Sequence, residues 1–372
     1  MIVGVPREIK NEEYRVSMTP NGVKEFVRAG HAVVVEKGAG IGAGFDDVAY
    51  AAAGAEMASV DDVWSRADMI YKVKEPLPSE YGKFKPGQIL YTYLHLAASY
   101  ARELTDAMIA ADIRGIAFET VELPSGAHPL LFPMSEVAGK LSIQAGAVHL
   151  QKNNGGRGVL LGGVTGVPKA KVVIIGGGTV GTNAAKIAVG MGARTVVMDT
   201  YAPRLTYLDD VFGGAVETVL STSAAIEEEV KDADIVVGGV LLPGGAQAPH
   251  LVKKAYLKEM QPGSVLVDVA IDQGGCFETS KPTTHTDPTY VVDGVIHYCV
   301  ANMPGAVART STMALAGATL PFGVAIATKG FEQAVKDDPA LALGVNVYRG
   351  KLTIPSVAAA HGLEYTPLDA AL

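Results

Sequence analysis

Lys171-Val172-Val173-Ile174-Ile175-Gly176-Gly177-Gly178-Thr179-Val180-Gly181 opens a stretch that runs to Asp199 and decides the fold. An apolar run of strand length comes first. A glycine turn follows, then a helix-length segment with small and apolar residues at Ala184, Ala185, Ile187, Ala188 and Met191. Gly190 and Gly192 close it, and a second apolar run, Thr195 to Met198, ends on the acid Asp199. This order predicts a β-turn-α-β unit carrying G-x-G-x-x-G between strand and helix. Gly176 permits the tight turn, Gly178 lets a pyrophosphate approach the main chain, and Gly181 lets helix and strand pack closely. The N–H groups of the helix start, Thr179 and Val180 among them, offer partial positive charge to the pyrophosphate. Asp199 lies about 20 residues past the first glycine, where an acid accepts from a ribose 2′-OH and repels a 2′-phosphate. The expected cofactor is therefore NAD rather than NADP, although Arg204 stands close enough to bear on that choice. The competing reading is a glycine turn in an α/β protein without a cofactor.

Outward from this unit, strand and helix alternate along most of the chain. At 372 residues two domains are expected. Strands are expected at Ile2–Val5, Ala32–Val35, Met69–Val73, Ile89–Leu94 and Gly115–Leu123. Those of the glycine-turn domain include Ile235–Val240, Val265–Ala270 and Ile296–Ala301. The fold class is thus α/β, with two doubly wound, Rossmann-like domains flanking a cleft. A long helix is expected from an N-cap at Ser135. From Thr310 onward the chain reads as helices and an Ala-rich tail, with a break at Pro321, returning to the first domain. The substrate domain is then discontinuous: residues 1–130 and 305–372, with the cofactor domain at 131–304.

Composition narrows the partners. A net charge of −8 and no basic block argue against nucleic acid. Two cysteines, Cys276 and Cys299, make no disulfide framework and suit a cytoplasmic protein. Arg7, Glu8 and Lys10 interrupt any apolar leader. Thr310 to Thr328 is long enough for a membrane span, but a buried helical segment is the expectation. There is no H-E-x-x-H or C-x-x-C pattern, so no metal site is expected.

In open α/β sheets ligands bind outside the carboxyl ends of the strands. Arg15, Lys74 and His95 stand at such ends in the first domain, and Asp199, Asp272 and Asn302 in the second. Each has a bland reading: a surface ion pair for Arg15, a solvated lysine for Lys74, a hydrogen-bonded core histidine for His95. As a set they suggest hydride transfer with acid–base help. Arg15 and Lys74 would clamp a carboxylate, His95 would move a proton, and Asp272 would orient water or ammonia.

Several blocks carry a resemblance. They are Gly4-Val5-Pro6-Arg7-Glu8 through Glu13-Tyr14-Arg15-Val16, Lys72-Val73-Lys74-Glu75-Pro76, and Leu94-His95-Leu96-Ala97. To these add Pro133-Met134-Ser135-Glu136, Asp268 through Gly275, and Val300-Ala301-Asn302-Met303-Pro304. With them the chain closely resembles the NAD-dependent alanine dehydrogenase family from end to end. The resemblance implies reversible oxidative deamination of L-alanine to pyruvate and ammonium. It implies Arg15 and Lys74 as carboxylate binders and His95 and Asp272 as catalytic residues. On the cofactor side it implies Ser135, Gly176 to Gly181, Asp199, Arg204, Ser221, Val240, Leu241, Asp272, Lys281, Val300, Asn302 and Met303. It also implies a homohexamer. Some members bind magnesium through a Glu and a His on the C-terminal helix; here that segment reads Gly323 to Lys329 with neither, so no such site is expected. Two alternatives stay open: a non-catalytic NAD(H)-binding module similar to the soluble part of a transhydrogenase, and an amino-acid dehydrogenase for a larger substrate.

Overall fold

The computed structural model describes residues 1–240 and 248–372. The chain forms two compact units, Met1–Met134 with Gly305–Leu372, and Ser135–Pro304. Six strands come first: β1 Ile2–Val5, β2 Ala32–Glu36, β3 Glu56–Ala58, β4 Met69–Tyr71, β5 Ile89–Thr92 and β6 Arg114–Ala117. The second unit supplies β7 Lys171–Ile175, β8 Arg194–Asp199, β9 Glu217–Leu220, β10 Ile235–Gly238, β11 Val265–Asp268, β12 Thr289–Val292 and β13 Val295–Tyr298. The last two, β14 Val345–Tyr348 and β15 Lys351–Leu352, return to the first unit.

In the second unit the sheet order is β12-β13-β11-β10-β7-β8-β9, parallel throughout except for the edge strand β12. The order reverses between β7 and β10, which pair directly. Side chains alternate between two cores, as a sheet covered on both faces requires. Val172 and Ile174 pack on one face with Ala184, Ala185 and Ala188 of the helix Thr179–Gly190. Val173 and Ile175 pack on the other with Ile226, Val230 and Leu257.

The first unit repeats this plan. Its sheet runs β15-β14-β6-β5-β4-β1-β2-β3, with β1 to β6 parallel and the order reversing between β1 and β4. The C-terminal segment corrects one sequence expectation, since it contains strands as well as helices. β14 adds antiparallel to β6, and β15 turns back on it through Arg349 and Gly350, both at positive φ. A strand of four residues and one of two are too short to show a period. The pre-turn pattern is also interrupted by Asn346, which is buried and donates to Thr120 Oγ1 at 2.8 Å.

Three further expectations shift. The helix through Ser135 starts earlier and spans Phe132–His149, so Ser135 lies within it rather than capping it. Pro133 near its start lacks only an N–H that the first turn leaves unpaired anyway. The expected strand Gly115–Leu123 stops at Ala117 and becomes the 3₁₀ turn Phe118–Thr120. Finally, Pro321 does not break the C-terminal helix, which is continuous over Ala308–Lys329. That helix is long and apolar enough to cross a membrane by length and composition. In this unit it packs on the sheet: Thr319 bonds the Tyr71 hydroxyl through its side chain and accepts from the Tyr91 hydroxyl at its carbonyl. Gly323 faces Phe26 and Tyr91, where a Cβ would crowd both rings.

Candidate functional site

The residues expected at the first-unit site lie beyond the carboxyl ends of β1, β4 and β5, around the reversal of strand order. The loop after β1 carries Glu8, Glu13 and Arg15. Arg15 is 2 % exposed, and its Nε and Nη2 donate to the two carboxylate oxygens of Glu13 at 2.7 and 2.5 Å. Its Nη1 points at Met134 Sδ, 3.1 Å away. Burial works against the charge of Arg15, but the buried carboxylate of Glu13 outweighs it and holds the guanidinium above its ordinary pKa.

Lys74 follows β4 by three residues, and a buried ion triad sets its main chain. Lys72, fully buried, sits 3.2 Å from Glu8 and 3.0 Å from Glu80. Glu8 also accepts the backbone N–H of Val73 at 2.6 Å and of Lys74 at 3.4 Å. A buried lysine with two carboxylates is tolerable because both partners are in place. Glu75 is likewise buried and bonds Lys10. Burial would raise its pKa, yet the charges of Lys74, Lys10 and His95 outweigh burial and depress it. Lys74 and His95 thus both act on the charge of Glu75.

His95 follows β5 and adopts a left-handed backbone, φ +50. Glu119, on the 3₁₀ turn after β6, accepts the N–H of His95 at 2.5 Å and of Leu94 at 3.2 Å. The register explains this: Thr92 pairs with Ala117, so two residues on, the chain after β5 meets the chain after β6. The imidazole stacks on Tyr93 with planes 1° apart and centroids at 5.6 Å. Tyr93 is buried, which pushes its phenol pKa up, and it donates to Leu130 O at 2.6 Å. The nearby charge of Arg15 opposes that rise, which links Tyr93 to Arg15 as well as to His95. Arg15, Lys74 and His95 therefore share one end of one sheet. Glu13, Glu75, Tyr93 and Glu119 surround them and are not among the site residues expected from sequence; Glu119 falls inside the expected strand Gly115–Leu123, so the strand-end rule does not single it out.

In the second unit the glycine turn lies at the β7/β10 reversal. Gly176 has φ +100, and a Cβ there would stand 2.9 Å from Gly239 O and 3.0 Å from Val240 Cγ2. A Cβ on Gly181 would overlap Gly176 O. Gly178 is different: a Cβ there would meet nothing within 4 Å. It caps the helix that begins at Thr179 and Val180, so the main chain at that helix start is open to a ligand. Asp199 accepts the N–H of Gly177 at 2.7 Å through Oδ2 and of Tyr201 at 2.9 Å through Oδ1. Arg204 donates from Nε to Gly177 O and from Nη2 to Thr182 Oγ1, both at 2.6 Å, and lies over Tyr207. Its guanidinium thus braces the turn. These residues fit a dinucleotide: an open helix N-terminus for a pyrophosphate, with a carboxylate at the end of the next strand.

The other expected residues stand at the same edge of this sheet. Ser221 follows β9, its N–H bonded to Asp199 O at 2.9 Å. Val240 follows β10, and its carbonyl accepts from the buried Cys276 thiol. Leu241 lies outside the described residues. Asp272 is exposed on the 3₁₀ turn Ile271–Gln273. That turn is shaped by buried Asp268, which accepts from Ala270 N, Cys276 N and Ser280 Oγ. Burial raises the pKa of Asp268 against those bonds, as suits a structural carboxylate. Lys281 is tied by its N–H to the Tyr290 hydroxyl, and Val300 bridges to Thr283. Asn302 has φ +67 and accepts His285 Nε2 at its carbonyl, and Met303 is buried. Ser135 lies on the helix Phe132–His149, where Gly139 meets the Val180 carbonyl so closely that no side chain would fit. Among the described residues no group of three or more His, Cys, Asp or Glu side chains could hold a metal ion.

Comparison with known proteins identifies the family. Residues 4–138 match the N-terminal domain of the alanine dehydrogenase/PNT family, and residues 142–355 its C-terminal domain. An alanine dehydrogenase from Methanococcus maripaludis is 58% identical over 374 residues, covering 100% of both chains. A solved L-alanine dehydrogenase superimposes with a TM-score of 0.94 at 53% identity, covering 97% of this chain and 99% of its own. A transhydrogenase from Sinorhizobium meliloti gives 0.82 at 25% identity, covering 95% and 100%. The chain belongs to the alanine dehydrogenase/PNT family.

Proposed function

We propose that this chain catalyses the reversible oxidative deamination of L-alanine to pyruvate and ammonium, with NAD as the cofactor. One observation carries the reading. Two buried cations and a half-exposed histidine share a strand-end site, in a chain 58% identical along its full length to a protein named alanine dehydrogenase. Family membership implies a nicotinamide cofactor and small-molecule substrates. The Asp199 carboxylate beside the glycine turn supports NAD over its 2′-phosphorylated form. When bound, the nicotinamide accepts or supplies the hydride at C2 of the substrate.

The chain's own residues do the rest. Arg15 and Lys74 hold the substrate carboxylate by charge-assisted hydrogen bonds. In the amination direction ammonia's lone pair forms the C–N bond while the carbonyl π pair takes a proton from His95. His95 then recovers the proton shed by the new ammonium group and gives it to the hydroxyl, which leaves as water. Asp272 is the second catalytic residue, orienting water or ammonia, and it also borders the cofactor. On the cofactor side Gly176, Gly178, Thr179, Val180 and Gly181 cradle the pyrophosphate. Asp199 takes the ribose, Arg204 braces the turn, and Ser135, Ser221, Val240, Lys281, Val300, Asn302 and Met303 line the remainder. The resemblance further supports a homohexamer, which sedimentation would test. The free, buried Cys276 and Cys299 accord with a reducing, cytoplasmic setting. The likeness to a transhydrogenase favours a second reading, an NAD(H)-docking module without turnover. Incubation with NAD and a panel of L-amino acids separates them: NADH should form with L-alanine, and a chain that binds NADH yet forms none with any amino acid is the docking module.

A further inference from the structure

His95 holds a left-handed backbone conformation that is strained for a side-chain-bearing residue, so something must stabilise it. Glu119 is what the structure supplies. Its Oε1 accepts the His95 N–H at 2.5 Å, and its two oxygens share the Leu94 N–H at 3.2 and 3.3 Å. The same Oε1 lies 3.9 Å from His95 Nδ1, too far for a hydrogen bond and near enough for electrostatic attraction. Glu119 is itself braced from the C-terminal segment. Ala117 N donates to Gly344 O at 2.8 Å, and Asn346 Nδ2 donates to Thr120 Oγ1 at 2.8 Å. Tyr93 stacks on the ring. The imidazole thus lies parallel to Tyr93, on a main chain pinned by Glu119, whose charge faces Nδ1.

We propose that Glu119 is the positioning residue for His95 in the reaction assigned above. Its carboxylate pins the left-handed turn and favours the tautomer with the proton on Nδ1. Nε2 is left as the atom that takes and returns the proton. Nothing in this role requires Glu119 to touch the substrate. A carboxylate that orients a catalytic imidazole in this way acts through the imidazole alone. The inference rests on the proposed function, because it needs His95 to be the proton carrier.

The test is a double-mutant cycle of Glu119→Gln and His95→Ala, with kcat and KM from steady-state rates and the chemical step from single-turnover traces at excess enzyme. Glutamine keeps the size of the side chain and one acceptor oxygen for the two N–H groups but removes the negative charge that faces Nδ1. In the wild-type background Glu119→Gln should lower kcat about tenfold. KM for pyruvate and the Kd for NADH should stay within about twofold, since neither involves the tautomer of His95. In the His95→Ala background the same substitution should change the rate less than about twofold. An equal fall in both backgrounds would mean that Glu119 acts on the fold and not through His95, and would overturn the proposal. So would an unchanged kcat in Glu119→Gln, or a fall confined to KM. Wild-type turnover with L-alanine is the control: its absence would overturn the functional reading itself, whereas its presence with an unaffected Glu119→Gln would overturn only this role. A melting curve of each variant shows whether it folds. Glu119→Asp, which keeps the charge, should recover part of the rate if Glu119→Gln is unstable, and no recovery in a folded Asp variant would also overturn it.

Discussion

The two sheets reverse strand order at equivalent places, β1/β4 in the first unit and β7/β10 in the second, yet they fill those places differently. At β7 the chain leaves the sheet through glycines and presents main-chain N–H groups at a helix start. At β1 and β4 it leaves through charged residues, with Glu8, Arg15, Lys72 and Lys74 buried together. The difference is one of means. A pyrophosphate can be met by backbone dipoles, which any sequence with the right turn supplies. A small keto acid offers only a carboxylate and a carbonyl, so it must be met by placed cations and a proton carrier. Placed cations must in turn be held: Glu13 pairs with Arg15, Glu8 and Glu80 pair with Lys72 two residues before Lys74, and Glu75 pairs with Lys10.

Substitutions on either side should sharpen that contrast. His95→Ala should lower turnover about 10²–10⁴-fold while NADH binding, followed by fluorescence, survives; near wild-type rates would remove His95 from the chemistry. Lys72→Met leaves Glu8 and Glu80 buried without their shared cation and should destabilise the first unit by about 3–5 kcal/mol in urea unfolding. A stability within error of wild type would show that the triad is not holding the β4 loop. Arg15→Lys keeps the charge but loses the two-pronged bond to Glu13. The KM for pyruvate should rise about 10-fold or more, and an unchanged KM would take Arg15 out of the carboxylate clamp. Gly181→Ala is the counterpart in the second unit. The added methyl overlaps Gly176 O, so this variant should lose about 1–3 kcal/mol of stability and weaken NADH binding. Normal NADH affinity in that variant would mean that the turn does not carry the cofactor.

The same contrast governs what could be read from residues alone. The glycine turn was legible because its requirement is steric: only glycine tolerates φ +100 at position 176 and the carbonyl contact at position 181. Alternating apolar runs likewise marked β1, β2, β7, β10 and β11, whose residues are almost all buried. β14 and β15 were not legible, because the four residues of β14 owe their existence to pairing with β6, more than 200 residues away in sequence, and the two residues of β15 to pairing with β14 in turn. The start of the helix Phe132–His149 was misplaced because Ser135 is a good cap and Pro133 a good first-turn residue, and only the packed structure chooses between them. At the first-unit site Arg15, Lys74 and His95 each had an ordinary structural explanation. What separates them from surface charges is burial and shared neighbours, and neither is a property of local sequence. Glu119 shows this most plainly: its partners are main-chain N–H groups 24 and 25 residues earlier, reached only because β5 and β6 lie side by side.

In the proposed function a carboxylate-binding, proton-transferring site and a nicotinamide-binding turn serve one reaction. Its most direct measurement is the near-ultraviolet absorbance of NADH when the purified chain is mixed with NAD and L-alanine, repeated in reverse with NADH, pyruvate and ammonium. Absorbance should rise in the first mixture and fall in the second, and the fall should depend on ammonium. No change in either mixture, from a chain that still binds NADH, would contradict the account.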